Sequence, residues 1–287
     1  MPEVAYVNGV FGTLSEATVS IQDRGFQFAD GVYEVAVAFG ERVFRLAEHL
    51  ERLRKSLEGI HLPIDRADVD FEAIIHEGVR RAGFDSTLVY VQVTRGRGRR
   101  VHVPADPGPP TVVATFTHRQ PLDPVLRARG LSVRTTEDFR WGRCAIKSTA
   151  LLANVIAKTE ALEAGFDDAI FLAPDGEVRE ATAANVFVAS TRQLRTPPIS
   201  DRILHGVTRS YLLECAARIG LAAHESPVTR DELLRADEVF LCSTTLDIVP
   251  VCRVDGQVIG DGVRGPLTQA LDEEFGARLR NEVVHEV

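Results

Sequence analysis

Two hydrophobic patterns alternate along the first part of the chain. Short β-rich apolar segments predict strands, and segments with apolar residues three and four positions apart predict helices. The predicted strands are residues 5–11, 17–21, 32–39, 88–94 and 111–117, and the predicted helices are residues 46–57 and 71–82. Because the opening strands are close enough in sequence to pair as hairpins, this order predicts an α/β sandwich instead of a doubly wound sheet.

The second part of the chain consists mainly of strands separated by irregular loops. The predicted strands are residues 131–135, 168–172, 185–188, 238–241 and 248–254. Helices are predicted at residues 151–163, 207–219 and 230–234 and near the C-terminus, the third of them opened by a capping box between Thr229 and Glu232. This order predicts a barrel-like sheet. We therefore expect two domains, residues 1–118 and 126–287, joined by a linker at residues 119–125.

Composition and charge exclude several classes of protein. The 287 residues carry a formal net charge of −8, which argues against a nucleic-acid partner. No segment has the length of a membrane helix, and the N-terminal residues do not resemble a secretory signal. The four cysteines lack metal-ligand spacing and are expected to be reduced thiols. These features predict a cytoplasmic protein with no metal site and no membrane partner.

Lys147 is the one charged residue between Arg143 and Lys158. The apolar positions that follow it, Leu151, Leu152, Val155 and Ile156, have the spacing of a buried helical face. Burial lowers the pKa of a lysine, and a neutral amine is nucleophilic enough to form a Schiff base with a carbonyl compound. The alternative is that Lys147 extends its ammonium group to solvent from the start of the helix.

Two segments of the first part could bind a substrate or an anion. Tyr33 begins an apolar strand behind Gly31, so its hydroxyl could point into a cleft or could belong to an ordinary half-buried tyrosine. The loop at residues 95–102, which contains Arg100 and His102, is strongly basic. Such a loop could clamp a carboxylate or phosphate, contact single-stranded nucleic acid, or be a solvated loop tip.

The second part adds groups that could hold a planar, phosphorylated ligand. Glu180 precedes the small residues 181–184, which would allow a flat ring to approach while the carboxylate pairs with a ring nitrogen. The helix start at residues 206–208 offers backbone N–H groups and a hydroxyl to an anion. Thr244 could supply a further hydroxyl, and Arg52 on the first helix a cation. Taken singly, each could equally be a hairpin residue, a cap, a turn or a surface arginine.

The order of these segments resembles that of one enzyme family. DRGFQFADGVYEV at residues 23–35 is followed by Arg-x-His at 100–102, Ile-Lys-Ser at 146–148, EATAANVF at 180–187, GVTR at 206–209 and Ser-Thr-Thr at 243–245. Over nearly its whole length the chain is similar to the class IV (fold type IV) pyridoxal-phosphate aminotransferases, most closely to bacterial D-amino-acid aminotransferases. The resemblance implies a small N-terminal α/β sandwich domain and a larger C-terminal pseudo-barrel α/β domain.

The resemblance also assigns roles to individual residues. It implies that Lys147 forms the internal aldimine with pyridoxal 5′-phosphate, and that Glu180 pairs with the pyridine nitrogen and keeps the ring an electron sink. The phosphate would be held by Arg52, the backbone of Val207, Thr208 and Thr244. Leu204 would pack on the cofactor ring, and the substrate carboxylate would be bound by Tyr33, Arg100 and His102.

The implied reaction is a ping-pong transamination of a D-amino acid with a 2-oxo acid such as 2-oxoglutarate or pyruvate, through pyridoxamine phosphate. In the family the arginine and histidine of the Arg-x-His pair come from the other subunit, which implies a homodimer. A branched-chain L-amino-acid aminotransferase, an (R)-amine transaminase or an aminodeoxychorismate lyase would share the fold but generally lack that pair. The extra arginines, Arg97 and Arg99, leave open which guanidinium binds the carboxylate.

Overall fold

The computed structural model describes residues 3–64, 68–103, 108–191 and 193–284. They fall into two compact units, of which the first takes the described residues up to Gln120 together with Ile146–Ala150. The second takes Pro121–Ala145 and the described residues from Leu151 onward. This division lies close to the predicted linker, but it assigns the short segment around Lys147 to the first unit. The predicted domain limits at residues 1 and 287 lie outside the described residues.

The first unit is an antiparallel sheet with helices against it. Its described residues form six strands in the order β2-β1-β6-β5-β3-β4, each antiparallel to its neighbours. The strands are β1 Val4–Val7, β2 Val10–Thr13, β3 Gly31–Phe39, β4 Arg42–Val43, β5 Ser86–Thr94 and β6 Thr111–His118. The helices are α1 Arg24–Phe28, α2 Leu46–Gly59 and α3 Phe71–Ala82. Leu53 and Leu57 of α2 and Val79 of α3 share one core with the sheet, which confirms the α/β sandwich.

Two strand predictions in this unit need correction. Residues 5–11 form a hairpin and not one strand, because Asn8 and Gly9 adopt positive φ angles of 45° and 96° and reverse the chain between β1 and β2. Residues 17–21 are not a strand, and their apolar side chains Val19 and Ile21 are exposed. An alternating apolar pattern cannot reveal whether a neighbouring strand is available to pair with it.

The second unit is a mixed sheet that curls back on itself. In the described residues its strand order is β12-β11-β10-β13-β14-β7-β8-β9, with β15 paired to β14. Its strands are β7 Leu131–Glu137, β8 Asp168–Leu172, β9 Val178–Ala181, β10 Asn185–Ser190, β11 Gln193–Thr196, β12 Ala223–Glu225, β13 Glu238–Ser243, β14 Asp247–Val254 and β15 Gln257–Val258. The Ala181 N–H donates to the Ala184 carbonyl at 2.8 Å, which forms a tight turn between β9 and β10. This turn brings β9, the last strand of the order, next to β10, an internal strand of the same order. This closure confirms the predicted barrel-like domain.

Five helices complete the second unit in its described residues. They are α4 Pro124–Arg129, α5 Leu152–Glu163, α6 Val207–Arg218, α7 Arg230–Leu234 and α8 Pro266–Val284. The predicted capping box is present on α7, where Thr229 and Glu232 exchange side-chain and backbone hydrogen bonds. No helix in the described ranges is long and apolar enough to cross a membrane.

The predicted burial of the apolar run after Lys147 is wrong. Leu152 is 71% exposed and Val155 is 57% exposed, and Leu151 and Ile156 are exposed as well. The face of α5 that packs on the sheet carries small residues instead, with Ala157 and Ala161 in a cluster with Phe171 of β8. A helix with apolar residues on more than one face does not reveal in sequence which face the sheet will cover.

Candidate active site

Lys147 is held by its backbone on both sides. Its N–H donates to the Ser56 hydroxyl of α2 at 3.1 Å, and its carbonyl accepts from the Tyr33 N–H of β3 at 2.9 Å. The next residue, Ser148, forms an antiparallel bridge with Val32, and the Thr149 N–H donates to the Gly31 carbonyl. The short segment around Lys147 therefore lies along the edge of β3, and the origin of the lysine side chain is fixed.

The amine of Lys147 lies over the ring of Tyr33. Nζ is 4.2 Å from the ring centroid, which is cation–π geometry for an ammonium group. The Tyr33 ring also stacks with that of Tyr90, with the two ring centroids 5.6 Å apart. Lys147 is half-buried, so neither sequence alternative, a deeply buried amine or one extended into solvent, describes it fully.

A buried ion-pair cluster lies between β3 and α2. Arg52 donates to the Glu34 carboxylate from Nε at 2.9 Å and from Nη2 at 2.6 Å, and His49 Nδ1 lies 3.0 Å from the same carboxylate. Burial by itself would raise the pKa of Glu34, but Arg52 and His49 outweigh it and hold that pKa below its usual range. Burial lowers the pKa of His49, and the positive charges of Arg52 and Lys147 lower it further. The hydrogen bond and the charge of Glu34 oppose this shift but do not reverse it. Arg52 is thus a fixed cation with an ionised partner.

Arg100 and His102 lie together on another part of the first unit. The Arg100 guanidinium stacks 5.1 Å from the Phe28 ring centroid, and the His102 ring packs edge-on against Phe28 at 5.9 Å. Both side chains are exposed. The structure thus brings Tyr33 to Lys147 and brings Arg100 to His102, and the two groups share no member.

Glu180 occupies the end of β9 in the second unit and is buried. One of its oxygens accepts from the Arg140 guanidinium, and the other accepts from the Asn185 amide at 3.2 Å and the Leu204 N–H at 3.0 Å. Burial would lower the pKa of Arg140, but its hydrogen bond to Asp138 and the charge of Glu180 outweigh this and raise it. Glu180 is thus a buried carboxylate on which three donors converge, one of them a guanidinium.

The start of α6 is buried and has no side-chain cap. Gly206 precedes the helix without a side-chain cap, and Val207 and Thr208 form its first turn. The Asn185 amide, which donates to Glu180, also donates to the Leu204 carbonyl at 3.0 Å, so Leu204 and Glu180 lie together beside this helix start. Within the described residues the Thr208 hydroxyl makes no hydrogen bond.

Thr244 follows the last residue of β13, next to the start of β10. The first residue of β10, Asn185, pairs with Cys242 two positions before Thr244. Like that of Thr208, the Thr244 hydroxyl makes no hydrogen bond to another described residue. Glu180, Leu204, the start of α6 and Thr244 therefore lie near the end of the second sheet at which β10 begins and β13 ends.

Sequence reasoning missed the residues that support these groups. Glu34 could have been found by the argument used for Lys147, because it is a lone charge in the apolar strand 32–39. His49 stands three residues before Arg52, one helical turn away on the same face. Arg140 carried no signal of its own, since its role depends on β7 and β9 lying on either side of β8.

The chain thus carries a lysine held by its backbone in the first unit, and a buried carboxylate and a helix start without a side-chain cap in the second. The chain belongs to the class IV aminotransferase family: the family described as Amino-transferase class IV matches residues 31–254. It is a pyridoxal-phosphate-dependent aminotransferase.

Individual relatives refine this assignment. The chain is 40% identical over 284 residues to a D-alanine aminotransferase of Bacillus licheniformis, covering 97% of this chain and 96% of the relative. The branched-chain amino acid aminotransferase of Escherichia coli shares the fold at a TM-score of 0.91 and 22% identity, over 100% of this chain and 97% of that one. A branched-chain amino acid aminotransferase from T.th., solved with pyridoxamine 5′-phosphate, superposes at a TM-score of 0.88 and 26% identity, over 99% of this chain and 95% of that one.

Proposed function

We propose that this enzyme transfers the amino group of a D-amino acid to a 2-oxo acid such as 2-oxoglutarate or pyruvate. The observation that carries the proposal is Lys147, whose backbone is hydrogen-bonded to Ser56 and Tyr33 and whose amine lies over an aromatic ring. The preference for D-amino acids is supported by the similarity to D-alanine aminotransferases and by the Arg100-x-His102 pair.

The donor groups fit pyridoxal 5′-phosphate. The backbone N–H of Val207, the Thr208 and Thr244 hydroxyls and the fixed cation Arg52 suit a phosphate dianion. The carboxylate of Glu180 suits a protonated ring nitrogen, and the half-buried side chain of Leu204 suits a flat apolar face. When bound, this cofactor supplies a carbonyl carbon that condenses with amines and a ring that withdraws electrons from the substrate Cα.

Each residue then has a defined task. Lys147 Nζ would hold the cofactor covalently in the resting enzyme, and as a free amine it would carry the proton removed from the substrate Cα. The Arg140 guanidinium donates to Glu180, and a carboxylate paired in this way would favour a protonated ring nitrogen beside it. Tyr33 keeps the lysine amine on one side of its ring, which orients the amine for transfer of a proton.

The substrate carboxylate is assigned to Tyr33, Arg100 and His102. A guanidinium presents two parallel N–H groups to a carboxylate, and the imidazole adds a donor beside it. Among the loop arginines, Arg95 is committed to Asp30 and to the carbonyls of residues 60 and 61. Arg100 instead shares the Phe28 ring with His102, which supports Arg100 as the carboxylate ligand.

We also propose that the enzyme is a cytoplasmic homodimer. The exposed apolar residues of α5 offer a surface for a second copy of the chain, and Arg100 and His102 are exposed as they would be if they served the partner's substrate. All four cysteines are free thiols, in keeping with a reducing compartment.

A half-reaction assay tests the proposed function. The visible absorbance band of the cofactor-bound enzyme should bleach on addition of D-alanine and hardly at all with L-alanine or L-leucine. Bleaching by L-leucine alone would instead identify a branched-chain L-aminotransferase, and bleaching by carboxylate-free amines an amine transaminase.

The same assay tests Lys147. Lys147→Ala should lose the covalent bond to the cofactor and at least about 10³-fold in turnover, because both nucleophile and proton carrier are removed. It should still fold, since the hydrogen bonds of Lys147 to Ser56 and Tyr33 are made by its backbone. Lys55→Ala, which removes an exposed lysine of α2, is the matched control and should keep full turnover.

A further inference from the structure

Arg24, the first residue of α1, is a buried arginine with no role in the chemistry described above. It is 3% exposed, and all three of its guanidinium nitrogens donate hydrogen bonds. Nε donates to Asp30 at 2.8 Å, Nη1 to the Val101 carbonyl at 2.5 Å and Nη2 to the His102 carbonyl at 2.9 Å. The Arg24 side chain thus donates to the backbone carbonyls of two consecutive residues of the basic loop. One of these residues, His102, is a proposed substrate ligand.

Phe28, the last residue of α1, contacts the side chains of Arg100 and His102 in the same loop. Arg24 and Arg100 place their guanidinium carbons 4.9 Å and 5.1 Å from its ring centroid, and the His102 ring lies edge-on at 5.9 Å. Such contacts favour a cation over the ring face and a hydrogen-bearing edge against it. Both proposed carboxylate ligands in the loop therefore rest on one aromatic ring.

The base of the loop is tied to the segment around α1 by backbone contacts. The Arg24 N–H donates to the Gly96 carbonyl at 2.9 Å, and the Gly98 N–H donates to the Gln22 carbonyl at 3.2 Å. Asp30, the partner of Arg24, also accepts from Arg95 Nε at 3.0 Å. With the base fixed in this way, Arg24 and Phe28 determine where the far end of the loop, residues 100–102, is held.

We propose that Arg24 and Phe28 are positioning residues that set substrate carboxylate affinity by holding Arg100 and His102 in a binding-competent arrangement. The inference rests on the proposed role of these two residues in the substrate carboxylate site. A planar fork is required because three acceptors lie around the guanidinium, and a lysine ammonium in the same place cannot reach all three. Neither Arg24 nor Phe28 contacts the reacting atoms, so they act through the loop.

The first test is Arg24→Lys, which keeps the charge and removes the fork. Losing two charge-assisted hydrogen bonds to the loop should raise KM for D-alanine and for 2-oxoglutarate by about tenfold or more. The kcat value should stay within about threefold and the visible cofactor band should be unchanged, because Lys147 and its supports are untouched. Phe28→Leu, which leaves the hydrogen bonds of Arg24 in place, should raise KM in the same way and serves as the second variant if Arg24→Lys does not fold.

Arg81→Lys is the matched control. Arg81 also lies over a phenylalanine ring in the first unit, 4.5 Å from the Phe11 centroid, and also pairs with a carboxylate, that of Glu77. The partners of Arg81 are not part of the basic loop, so the KM values of Arg81→Lys should equal those of the wild type. A KM rise in Arg81→Lys as large as in Arg24→Lys would overturn the proposal, because the effect would then be general to the unit.

A double-mutant cycle separates positioning from other effects. If Arg24 acts through the loop, Arg24→Lys should change KM far less in an Arg100→Ala, His102→Ala background than in the wild type. Fold-changes that multiply in full would show that the sites act independently and would overturn the proposal. A parallel fall in kcat, cofactor content and melting temperature with unchanged KM would do the same, since it would indicate a structural role only.

Limited trypsin digestion gives a readout that does not depend on catalysis. Cleavage after Arg99 and Arg100 should be about tenfold faster in Arg24→Lys than in the wild type or Arg81→Lys, because the loop would be released. Equal cleavage rates would overturn the positioning role. If cleavage is faster but Arg100→Ala leaves KM unchanged, the loop is positioned as inferred and it is the proposed carboxylate role of Arg100 that fails.

Discussion

At the scale of single residues, Glu34 illustrates why a charge is found inside an apolar strand. Its carboxylate faces α2 and receives both a two-nitrogen fork from Arg52 and a contact from His49. Each of these partners stabilises the ionised form, and together they exceed the cost of burial, so the pKa of Glu34 is lowered. The fork also fixes the orientation of Arg52, the cation assigned to the cofactor phosphate.

Glu34→Gln should lower both stability and cofactor affinity. Removing one charge of a buried pair leaves Arg52 uncompensated, which costs about 3 kcal/mol. For a chain of this size such a loss lowers the melting temperature by roughly 5–10 °C. The dissociation constant for pyridoxal phosphate, measured by fluorescence titration of the apoenzyme, should also rise because Arg52 loses its orientation.

The pH dependence provides the control for this prediction. Because the folded-state pKa of Glu34 is depressed, its stabilising effect is present above the unfolded value near 4.5 and is lost as the pH falls below it. The melting-temperature difference between the wild type and Glu34→Gln should therefore be constant from pH 7 to about 5 and shrink at lower pH. Glu51→Gln removes a carboxylate whose ion pairs with Arg54 and Lys55 are exposed to solvent, so it should show little difference at any pH although Arg54 also lowers the pKa of Glu51. A difference for Glu34→Gln that grew on acidification would contradict the assignment.

At the scale of elements, the start of α6 depends on the close approach of β10. A Cβ built on Gly206 would collide with the Asn185 side-chain oxygen, although the φ of −65° at Gly206 is one that any residue can adopt. The restriction is therefore steric and not conformational. Asn185 cannot move away without losing its bonds to Glu180 and Leu204.

Gly206→Ala should weaken cofactor binding with little change of fold. We expect displacement of Asn185 to disturb Glu180 and the helix start together, and to raise the dissociation constant for pyridoxal phosphate by about tenfold, the effect of roughly one hydrogen bond. Equilibrium dialysis of the apoenzyme measures it. Gly12→Ala is the matched control, because no atom lies within 4 Å of a Cβ at that position. Equal affinities for the two variants would show that Gly206 is not part of the cofactor site.

Comparison of the predicted with the observed elements shows which sequence signals were sufficient to predict an element and its limits. Helices Phe71–Ala82 and Arg230–Leu234 have the predicted limits, because Asp70 and Thr229 cap their first turns and the caps are visible in sequence. Residues 17–21 carry a strand-like composition, but they form no strand. The burial of α5 was predicted on the wrong face, since alanines are as able to pack on a sheet as leucines are.

At the scale of the whole molecule, the exposed apolar face of α5 suggests a partner. Leu152 and Val155 are exposed on the second unit, and exposed apolar patches are common at association surfaces. We expect Leu152→Glu with Val155→Glu to shift the enzyme from dimer to monomer in sedimentation experiments at micromolar concentration, because each carboxylate would have to be desolvated in the interface.

The control for this prediction is Val125→Glu on α4, a position of similar exposure at 69%. It should leave the sedimentation coefficient unchanged. Turnover with D-alanine should fall in the monomeric variant if Arg100 and His102 serve the partner's substrate. A double variant that remains dimeric would show that α5 lies outside the interface.

The sequence by itself determined the family, and it also gave the proposed reacting lysine and the order of the proposed binding groups, because these depend on residue identity and spacing along the chain. Lys147, Glu180 and the 206–209 helix start could be read in that way. Only the tertiary structure decided which groups support them: Glu34 with Arg52, Arg140 with Glu180, and Arg24 with the carbonyls of Val101 and His102. Those pairs join residues 18, 40, 77 and 78 positions apart, and whether such residues meet depends on strand register and helix packing, which a local pattern does not encode.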